Sequence, residues 1–271
     1  MIDTVTARFG LTRMPFGRDL PPSRLHRHAD CAEAAARITW AVSGRTIGVI
    51  TGEVGTGKTA AVRAAVARLG PAGHNVIYIG NPATGVRGIL AAAVTALGGK
   101  PAHGTAALAV QAWNVLAGEA AERGRTPVLI IDEAHLLDHE QLEAVRLMTN
   151  HEMDSSTLFA TILVGQPTLR HHIKLGVLAA LDQRITVRYQ MKGMTGDETA
   201  SYIRHHLEEV GRTADLFTDD AVTLIHTAAR GKPRTVNNIC LAALIATVGA
   251  GKNLVDHAAA RAAIAEITAT D

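Results

Sequence analysis

The sequence is poor in aromatic residues, in cysteine and in long apolar runs. Aromatic residues make up 3% of its 271 residues, so the core has to be built from Ala, Val, Leu and Ile. The two cysteines, Cys31 and Cys240, lie far apart, which excludes a small disulfide scaffold and fits a reducing cytosol. No apolar run reaches the ~18 residues that span a bilayer, and the N-terminus lacks the pattern of a secretory signal. The sequence therefore predicts a cytoplasmic protein that does not enter a membrane.

A strong charge of either sign is also absent. The formal net charge is +2, with 19% charged and 47% hydrophobic residues. This hydrophobic fraction excludes a disordered or collagen-like chain. The weakly basic balance permits nucleic-acid binding but does not require it.

Short β-branched runs alternate with Ala-rich helical patterns up to about Met191, which is typical of βαβ units around a parallel sheet. Beyond that point only helical patterns remain. We therefore predict an α/β fold with a small C-terminal all-helical domain: 1–45 is an N-terminal extension and first helix, 46–192 the α/β domain, and 193–271 the helical domain. Phe9–Pro22 is expected to be extended. The predicted strands are Thr46–Thr51, Asn75–Ile79, Pro127–Ile131, Leu158–Val164 and Ile185–Tyr189. The predicted helices are Ala29–Val42, Thr59–Leu69, Gly88–Leu97, Ala106–Arg123, His139–His151, Thr195–Val210, Thr218–Ala229, Arg234–Ala250 and Leu254–Thr268.

The clearest motif is a phosphate-binding loop between a predicted strand and a predicted helix. It matches G-x-x-x-x-G-K-[ST] at every fixed position, in the strand-to-helix context that distinguishes the motif from a chance Gly-rich turn. Its glycines let backbone N–H groups wrap a phosphate. Lys58 supplies charge for the β- and γ-phosphates, and Thr59 offers a hydroxyl to Mg²⁺. The loop residues are Gly52, Glu53, Val54, Gly55, Thr56, Gly57, Lys58 and Thr59.

A second motif is the apolar run Val128–Ile131, which ends in Asp132 and Glu133. By itself this is equally well a strand with a solvated acidic end. Beside a phosphate loop, Asp132 is predicted to hold the water shell of Mg²⁺, and Glu133 to polarise the water that attacks the γ-phosphate. With Ala134 and His135 the string reads Asp-Glu-Ala-His, which also occurs in helicases. Those need a second RecA-like domain, so we interpret His135 as a structural or coupling residue.

These two motifs and four further strings make the chain resemble the AAA+ ATPases, specifically the ExeA-like group that includes transposition regulators of the MuB and TnsC type. The resemblance covers most of the chain. It implies the P-loop (AAA+) fold, with ATP and Mg²⁺ as cofactors and the helical domain as a lid. The matching strings, in order, are FGLTRMPFGRD, GEVGTGKT, LIIDEAH, ILVGQPTLR, LDQRI and GKPRTVN.

The same resemblance implies roles for three further polar residues. Gln166 would be sensor 1, which positions the attacking water, although an ordinary strand-to-turn amide also fits. Arg184 would be an arginine finger that completes a neighbouring subunit's ATP site, with Arg188 as the second choice and a surface salt bridge as the alternative. Arg234 would be sensor 2, a contact to the phosphates within one subunit, or else a surface arginine.

DNA-contacting residues are expected in the segments that follow the second strand, where the resembling regulators place them. The candidates are Arg87, Lys100 and Thr105, and solvated loop residues are an equal alternative. Such contacts would give binding to double-stranded DNA that is largely independent of sequence and sensitive to salt.

The leading functional prediction is an ATP-dependent regulator of DNA transposition. ATP would drive assembly of a homo-oligomer, a ring or helical filament on double-stranded DNA, which recruits or activates a transposase until hydrolysis dismantles it. Secretion-type relatives carry a membrane segment and a cell-wall-binding domain after the ATPase, and the lack of both favours this interpretation. The alternatives are a secretion or envelope-assembly ATPase that remodels a protein partner without DNA, and a small-molecule P-loop kinase.

Overall fold

The computed structural model describes residues 2–17, 19–149 and 157–268. Its contacts divide the chain into two compact units. We call the first the helical unit, which comprises Met1–Ala32, Gly55–Gly57 and Lys192–Asp271. The second is the sheet unit, which comprises Glu33–Val54 and Lys58–Met191.

The sheet unit is built on one five-stranded parallel sheet with the strand order β2-β3-β4-β1-β5. Every residue of β1 and β4 is buried, as expected of central parallel strands that are covered on both faces. The five predicted strands are confirmed, with ends that agree to within two residues. The strands are β1 (Ile47–Gly52), β2 (His74–Ile79), β3 (Thr126–Ile131), β4 (Ala160–Gly165) and β5 (Ile185–Met191).

Helices connect the parallel strands, because a parallel pair needs a crossover rather than a tight turn. Two short helices that follow β4 were not predicted, since segments of seven and six residues are too short to show a helical period. The helices up to β5 are α1 (Ile2–Phe9), α2 (Ala29–Ser43), α3 (Lys58–Val66), α4 (Gly85–Ala96), α5 (Thr105–Ala121), α6 (His139–Met148), α7 (Pro167–Ile173) and α8 (Ala179–Arg184).

Two predicted helix bounds in the sheet unit are wrong, of which the first is the start of α4, at Gly85 rather than Gly88. Helix α3 stops at Val66 rather than Leu69, because the last turn tightens and the N–H of Arg68 bonds to the carbonyl of Ala65. Helix α6 stops at Met148, and the predicted end at His151 lies outside the described residues.

The helical unit packs five helices around one apolar core: α1, α9 (Gly196–Glu208), α10 (Asp219–Ala229), α11 (Pro233–Gly249) and α12 (His257–Thr268). Helix α1 was not predicted. It contributes Val5 and Phe9, which are four residues apart on one face and buried in this core. Helix α12 begins at His257 rather than Leu254, because Val255 forms a parallel bridge with Phe217 instead.

The expectation of an extended segment over Phe9–Pro22 is wrong in part. Phe16 has a φ of 63°, in the left-handed region, and its ring is buried in the helical core together with Leu11. The described part of this segment therefore turns to insert side chains into the core. None of the helices described in 2–17, 19–149 and 157–268 is long and apolar enough to cross a membrane.

Candidate nucleotide site

The phosphate-binding loop lies where β1 ends and α3 begins. Gly55 and Gly57 have φ values of +85° and +93°, which only glycine adopts without strain. The ammonium of Lys58 is buried beneath the loop, where it donates to the carbonyls of Gly52 and Glu53 at 2.8 and 3.0 Å. The loop thus holds its lysine close to its own backbone.

Asp132 follows β3 directly and is 5% exposed. The Thr59 hydroxyl donates to its Oδ2 atom at 3.1 Å. The structure therefore brings together the two residues that were predicted to serve Mg²⁺. Their hard oxygen atoms fit Mg²⁺, which binds through one or two protein oxygens together with substrate phosphates and water. Within the described part of the chain, no cluster of three or more His, Cys, Asp or Glu side chains is suited to a metal ion.

Tyr78 joins this pair and was missed by sequence reasoning. Its hydroxyl donates to Asp132 Oδ2 at 2.9 Å. Burial and the hydrogen bond to the Asp132 carboxylate raise the pKa of Tyr78 to about 12. No local signal marks this residue, because the contact depends on β2 lying beside β3.

Glu133 has a left-handed backbone, with φ 52° and ψ 31°. For a residue other than glycine this conformation costs about 1–3 kcal/mol, and such strain concentrates at functional sites. Its backbone N–H donates to Asp132 Oδ1 at 2.9 Å. The turn leaves the Glu133 side chain 48% exposed, in reach of a water molecule.

His135 lies between Glu133 and Gln166. Its Nδ1 atom is 3.4 Å from Glu133 Oε2, and its Nε2 atom is 2.9 Å from the side-chain nitrogen of Gln166. The backbone N–H of Gln166 also points at Nδ1, at 3.4 Å. His135, interpreted from the sequence as a structural or coupling residue, thus contacts both Glu133 and Gln166, and its role stays a prediction.

Within the helical unit, the loop segment Gly55–Gly57 contacts the start of α11. The backbone N–H of Arg234 donates to the Gly55 carbonyl at 3.2 Å. A Cβ atom on Gly55 would lie 3.1 Å from the Cβ of Arg234, so a side chain there would crowd this contact. Gly55 is therefore required both for its φ angle and for space.

Arg184 ends α8 on the sheet unit. Its guanidinium donates to the Thr149 hydroxyl at 3.1 Å, and together with Arg146 it lowers the pKa of Glu143. Arg188, the second choice, pairs with Asp182 at 2.8 Å. A role of either residue toward a neighbouring subunit stays a prediction.

The three DNA candidates lie on and beside one exposed loop. Arg87 donates to the carbonyls of Ala102 and His103 at 3.2 and 2.6 Å, which ties α4 to the loop that precedes α5. Lys100 is exposed on the same loop, and the exposed Thr105 begins α5 directly after it. The structure thus gathers these residues into one basic edge, and their contact with DNA stays a prediction.

Comparison with known proteins agrees with this geometry. Residues 41–173 match the family model described as AAA domain. General secretion pathway protein A of Aeromonas hydrophila is 34% identical over 256 residues, which cover 93% of this chain and 46% of that protein. The chain thus spans about half the length of this curated relative.

Two solved structures share the fold at low identity. One is the Aeropyrum pernix ORC1 protein in complex with DNA, with a TM-score of 0.64, 16% identity, and coverage of 98% of this chain and 69% of that chain. The other is the Thermotoga maritima RuvB Holliday junction branch migration motor, with a TM-score of 0.57, 18% identity, and coverage of 87% and 68%.

Residues 41–173 and the fold are similar to those of AAA+ P-loop ATPases, and the predicted α/β fold class and ATPase activity are confirmed. Within that class the chain is similar to the ExeA-like AAA ATPases. The finer resemblance to MuB and TnsC stays a prediction.

Proposed function

We propose that this chain is the ATPase part of a secretion or envelope-assembly machine, in which ATP hydrolysis remodels a protein partner. The observation that carries the proposal is the 34% identity to General secretion pathway protein A over 93% of the chain. This relative supports the alternative interpretation better than transposition, which led on sequence grounds. Because the relative is about twice as long as the aligned part, the end of this sequence does not argue against secretion.

We propose the following roles for the site residues in binding ATP. The loop Gly52–Thr59 holds the phosphates, with Lys58 turning from its loop carbonyls toward the β- and γ-phosphates. Mg²⁺, held by Thr59 and Asp132, would supply charge to the phosphate oxygens. Arg234, at the contact with Gly55, would add a further positive charge.

Hydrolysis itself is proposed to depend on Glu133 and Gln166. Glu133 takes a proton from a water molecule while the water oxygen attacks the γ-phosphorus. The bond between the γ-phosphorus and the oxygen that bridges to the β-phosphate then breaks, and ADP leaves. Gln166 orients that water. The strained turn at Glu133 supports this role, because such strain concentrates at functional sites and fixes the direction in which the side chain leaves the backbone.

A homo-oligomer, in the form of a ring or a helical filament, is proposed to complete the site. A guanidinium neutralises charge that builds on the γ-phosphate, and Arg184 is the candidate to supply it to a neighbour. We further propose that 46–192 forms the ATPase domain, that 193–271 is its lid, that 1–45 is an extension with the first helix, and that the protein works in the cytoplasm.

A transposition regulator on double-stranded DNA is the second candidate, favoured by the basic edge at Arg87 and Lys100. It requires ATP-dependent binding to duplex DNA that weakens steeply with salt, and a transposase as partner. The ORC1 structure contains DNA, but at 16% identity its similarity to this chain supports a shared fold and not shared DNA binding.

The deciding experiment measures ATP hydrolysis and duplex binding on the same protein. Fluorescence anisotropy with a labelled random duplex is read at low salt, with and without a slowly hydrolysed ATP analogue. The secretion proposal expects hydrolysis and ATP-dependent assembly, but no duplex binding. Binding that needs the analogue and is lost in Arg87→Ala and Lys100→Ala, but not in the exposed control Arg68→Ala, would overturn it in favour of transposition.

A further inference from the structure

Tyr78 stands at the magnesium end of the site, on a strand that carries no residue of either ATPase motif. It is the next-to-last residue of β2, and about half of it is exposed. Its hydroxyl nevertheless reaches the carboxylate of Asp132, at the end of the neighbouring strand β3. Because half of Tyr78 is exposed, burial of its ring does not explain its position. The hydrogen bond from its hydroxyl to the buried Asp132 carboxylate points to another role.

The Asp132 carboxylate accepts three hydrogen bonds. Oδ1 accepts from the backbone N–H of Glu133, and Oδ2 accepts from both Thr59 and Tyr78, at 3.1 and 2.9 Å. When Mg²⁺ binds the Thr59 oxygen, the hydroxyl proton can still point at Oδ2, so the carboxylate keeps one donor that is tied to the ion and one, Tyr78, that is not. The tyrosine is thus the side-chain donor that orients the carboxylate independently of the ion.

The backbone after β2 leaves room for this ring. A Cβ atom on Gly80 would lie 3.1 Å from Cε1 of Tyr78, which is tighter than ordinary van der Waals contact. Gly80 has no positive φ that would require glycine, so its value at this position is the space beside the tyrosine. Gly80 therefore leaves the space in which the ring of Tyr78 lies while its hydroxyl bonds to Asp132.

We propose that Tyr78 is a positioning residue for magnesium: its hydroxyl holds the Asp132 carboxylate in the orientation that receives the ion with the nucleotide. This inference rests on the proposed role of Asp132. It adds a residue from a third strand to a site whose motifs come from β1 and β3. Tyr78 touches neither nucleotide nor water in this assignment and acts only through the aspartate.

The first test is the magnesium dependence of nucleotide binding, measured with a fluorescent ADP analogue in wild type and Tyr78→Phe. Loss of one hydrogen bond of ordinary net strength is worth about a five- to tenfold change in an equilibrium constant. We expect the Mg²⁺ concentration for half-maximal tight binding to rise about five- to tenfold, while affinity in EDTA is unchanged. Tyr189→Phe is the matched control, since this tyrosine of β5 stacks with Arg37 at 5.1 Å and should bind Mg²⁺ as wild type does.

The second test reads the hydrogen bond directly. Urea unfolding of wild type, Tyr78→Phe, Asp132→Ala and the double variant forms a double-mutant cycle. Tyr78→Phe should lower the free energy of unfolding in the wild-type background and leave it unchanged in the Asp132→Ala background. An equal loss in both backgrounds would show that the hydrogen bond is not made in solution and would overturn the inference.

The outcomes separate the inference from the proposed function. If Asp132→Asn loses magnesium-dependent binding while Tyr78→Phe behaves as wild type, the positioning role is wrong and the role of Asp132 stands. If Asp132→Asn itself keeps wild-type magnesium dependence, the proposed site fails and the inference fails with it.

Discussion

The side-chain nitrogen of Gln166 lies 2.9 Å from Nε2 of His135, the imidazole that also faces Glu133. With its proton on Nδ1, the ring accepts from the Gln166 amide and donates toward Glu133. With its proton on Nε2, the ring accepts the Gln166 backbone N–H at Nδ1 instead. The candidate water-activating carboxylate and the candidate sensor thus share one ring, so a shift of one is felt by the other.

Replacing His135 should therefore slow hydrolysis without weakening nucleotide binding. Loss of the hydrogen bond that orients Gln166 costs about 1 to 1.5 kcal/mol, which corresponds to about a tenfold lower kcat in His135→Ala. Steady-state ATP hydrolysis and binding of a fluorescent ADP analogue measure the two effects. The exposed His171 provides the control, and equal rates in wild type and His135→Ala would contradict the coupling role.

Glu133→Gln should keep nucleotide binding and assembly but lose turnover. The amide cannot accept the proton of the attacking water, and general-base catalysis contributes roughly 10²–10⁴-fold to rates. Phosphate release measures the loss, and light scattering with ATP should show assemblies that persist. The exposed Glu122→Gln serves as the control. Hydrolysis at the parental rate would remove Glu133 from its assigned role.

Arg184→Ala should reduce hydrolysis while leaving nucleotide binding by the monomer intact, because its guanidinium is assigned to a neighbour's site. Lys58→Ala should fail to bind nucleotide yet still carry an intact Arg184. Mixing the two inactive variants should therefore restore part of the activity, since Lys58→Ala subunits complete the sites of Arg184→Ala subunits.

The mixing experiment also decides between the two arginines. Arg188→Ala, whose partner is Asp182, should hydrolyse ATP as wild type does. If Arg188→Ala is the variant that loses activity and is rescued by mixing, the finger is Arg188. If mixing restores activity to neither variant, the proposal that a neighbouring subunit's arginine completes the ATP site is wrong.

His206 should make the fold sensitive to acid. It is 5% exposed, and burial, followed by the nearby His205, His26 and Arg13, lowers its pKa from 6.5 to about 4. Between these values the unfolded chain binds more protons than the folded one, so stability is full above pH 6.5 and falls as the pH drops toward 4. At about 1.4 kcal/mol per pKa unit the loss from this group is at most about 3 kcal/mol.

Urea unfolding at pH 7.5, 6 and 5 measures this loss. His206→Gln should reduce the pH dependence, because the amide does not titrate, but should not abolish it, because burial also lowers the pKa of His26 and of His28. His171→Gln should follow the wild type. Parallel curves for wild type and His206→Gln would show that His206 is not the group responsible.

Much of the fold and part of the site could be predicted from the chain alone. The strands are continuous apolar runs, since central parallel strands are buried on both faces. The phosphate loop was found because its residues are contiguous and its backbone needs glycine at fixed positions. The helix end at Val66 was missed because the hydrogen bonds of a single turn, not the periodicity of apolar residues, set it.

What could not be predicted are contacts between distant segments. The Tyr78 hydroxyl on Asp132 needs β2 beside β3, and Gln166 on His135 needs β4 on the other side of β3. Neither residue type carries a local signal for its partner.

The sequence by itself determined the strand–loop–helix unit and predicted that its loop binds phosphate, because the residues of this motif are consecutive. Only the tertiary structure decided which side chains surround Asp132 and Glu133. Strand order is set by how the whole sheet buries its apolar faces, and no stretch of neighbouring residues encodes it.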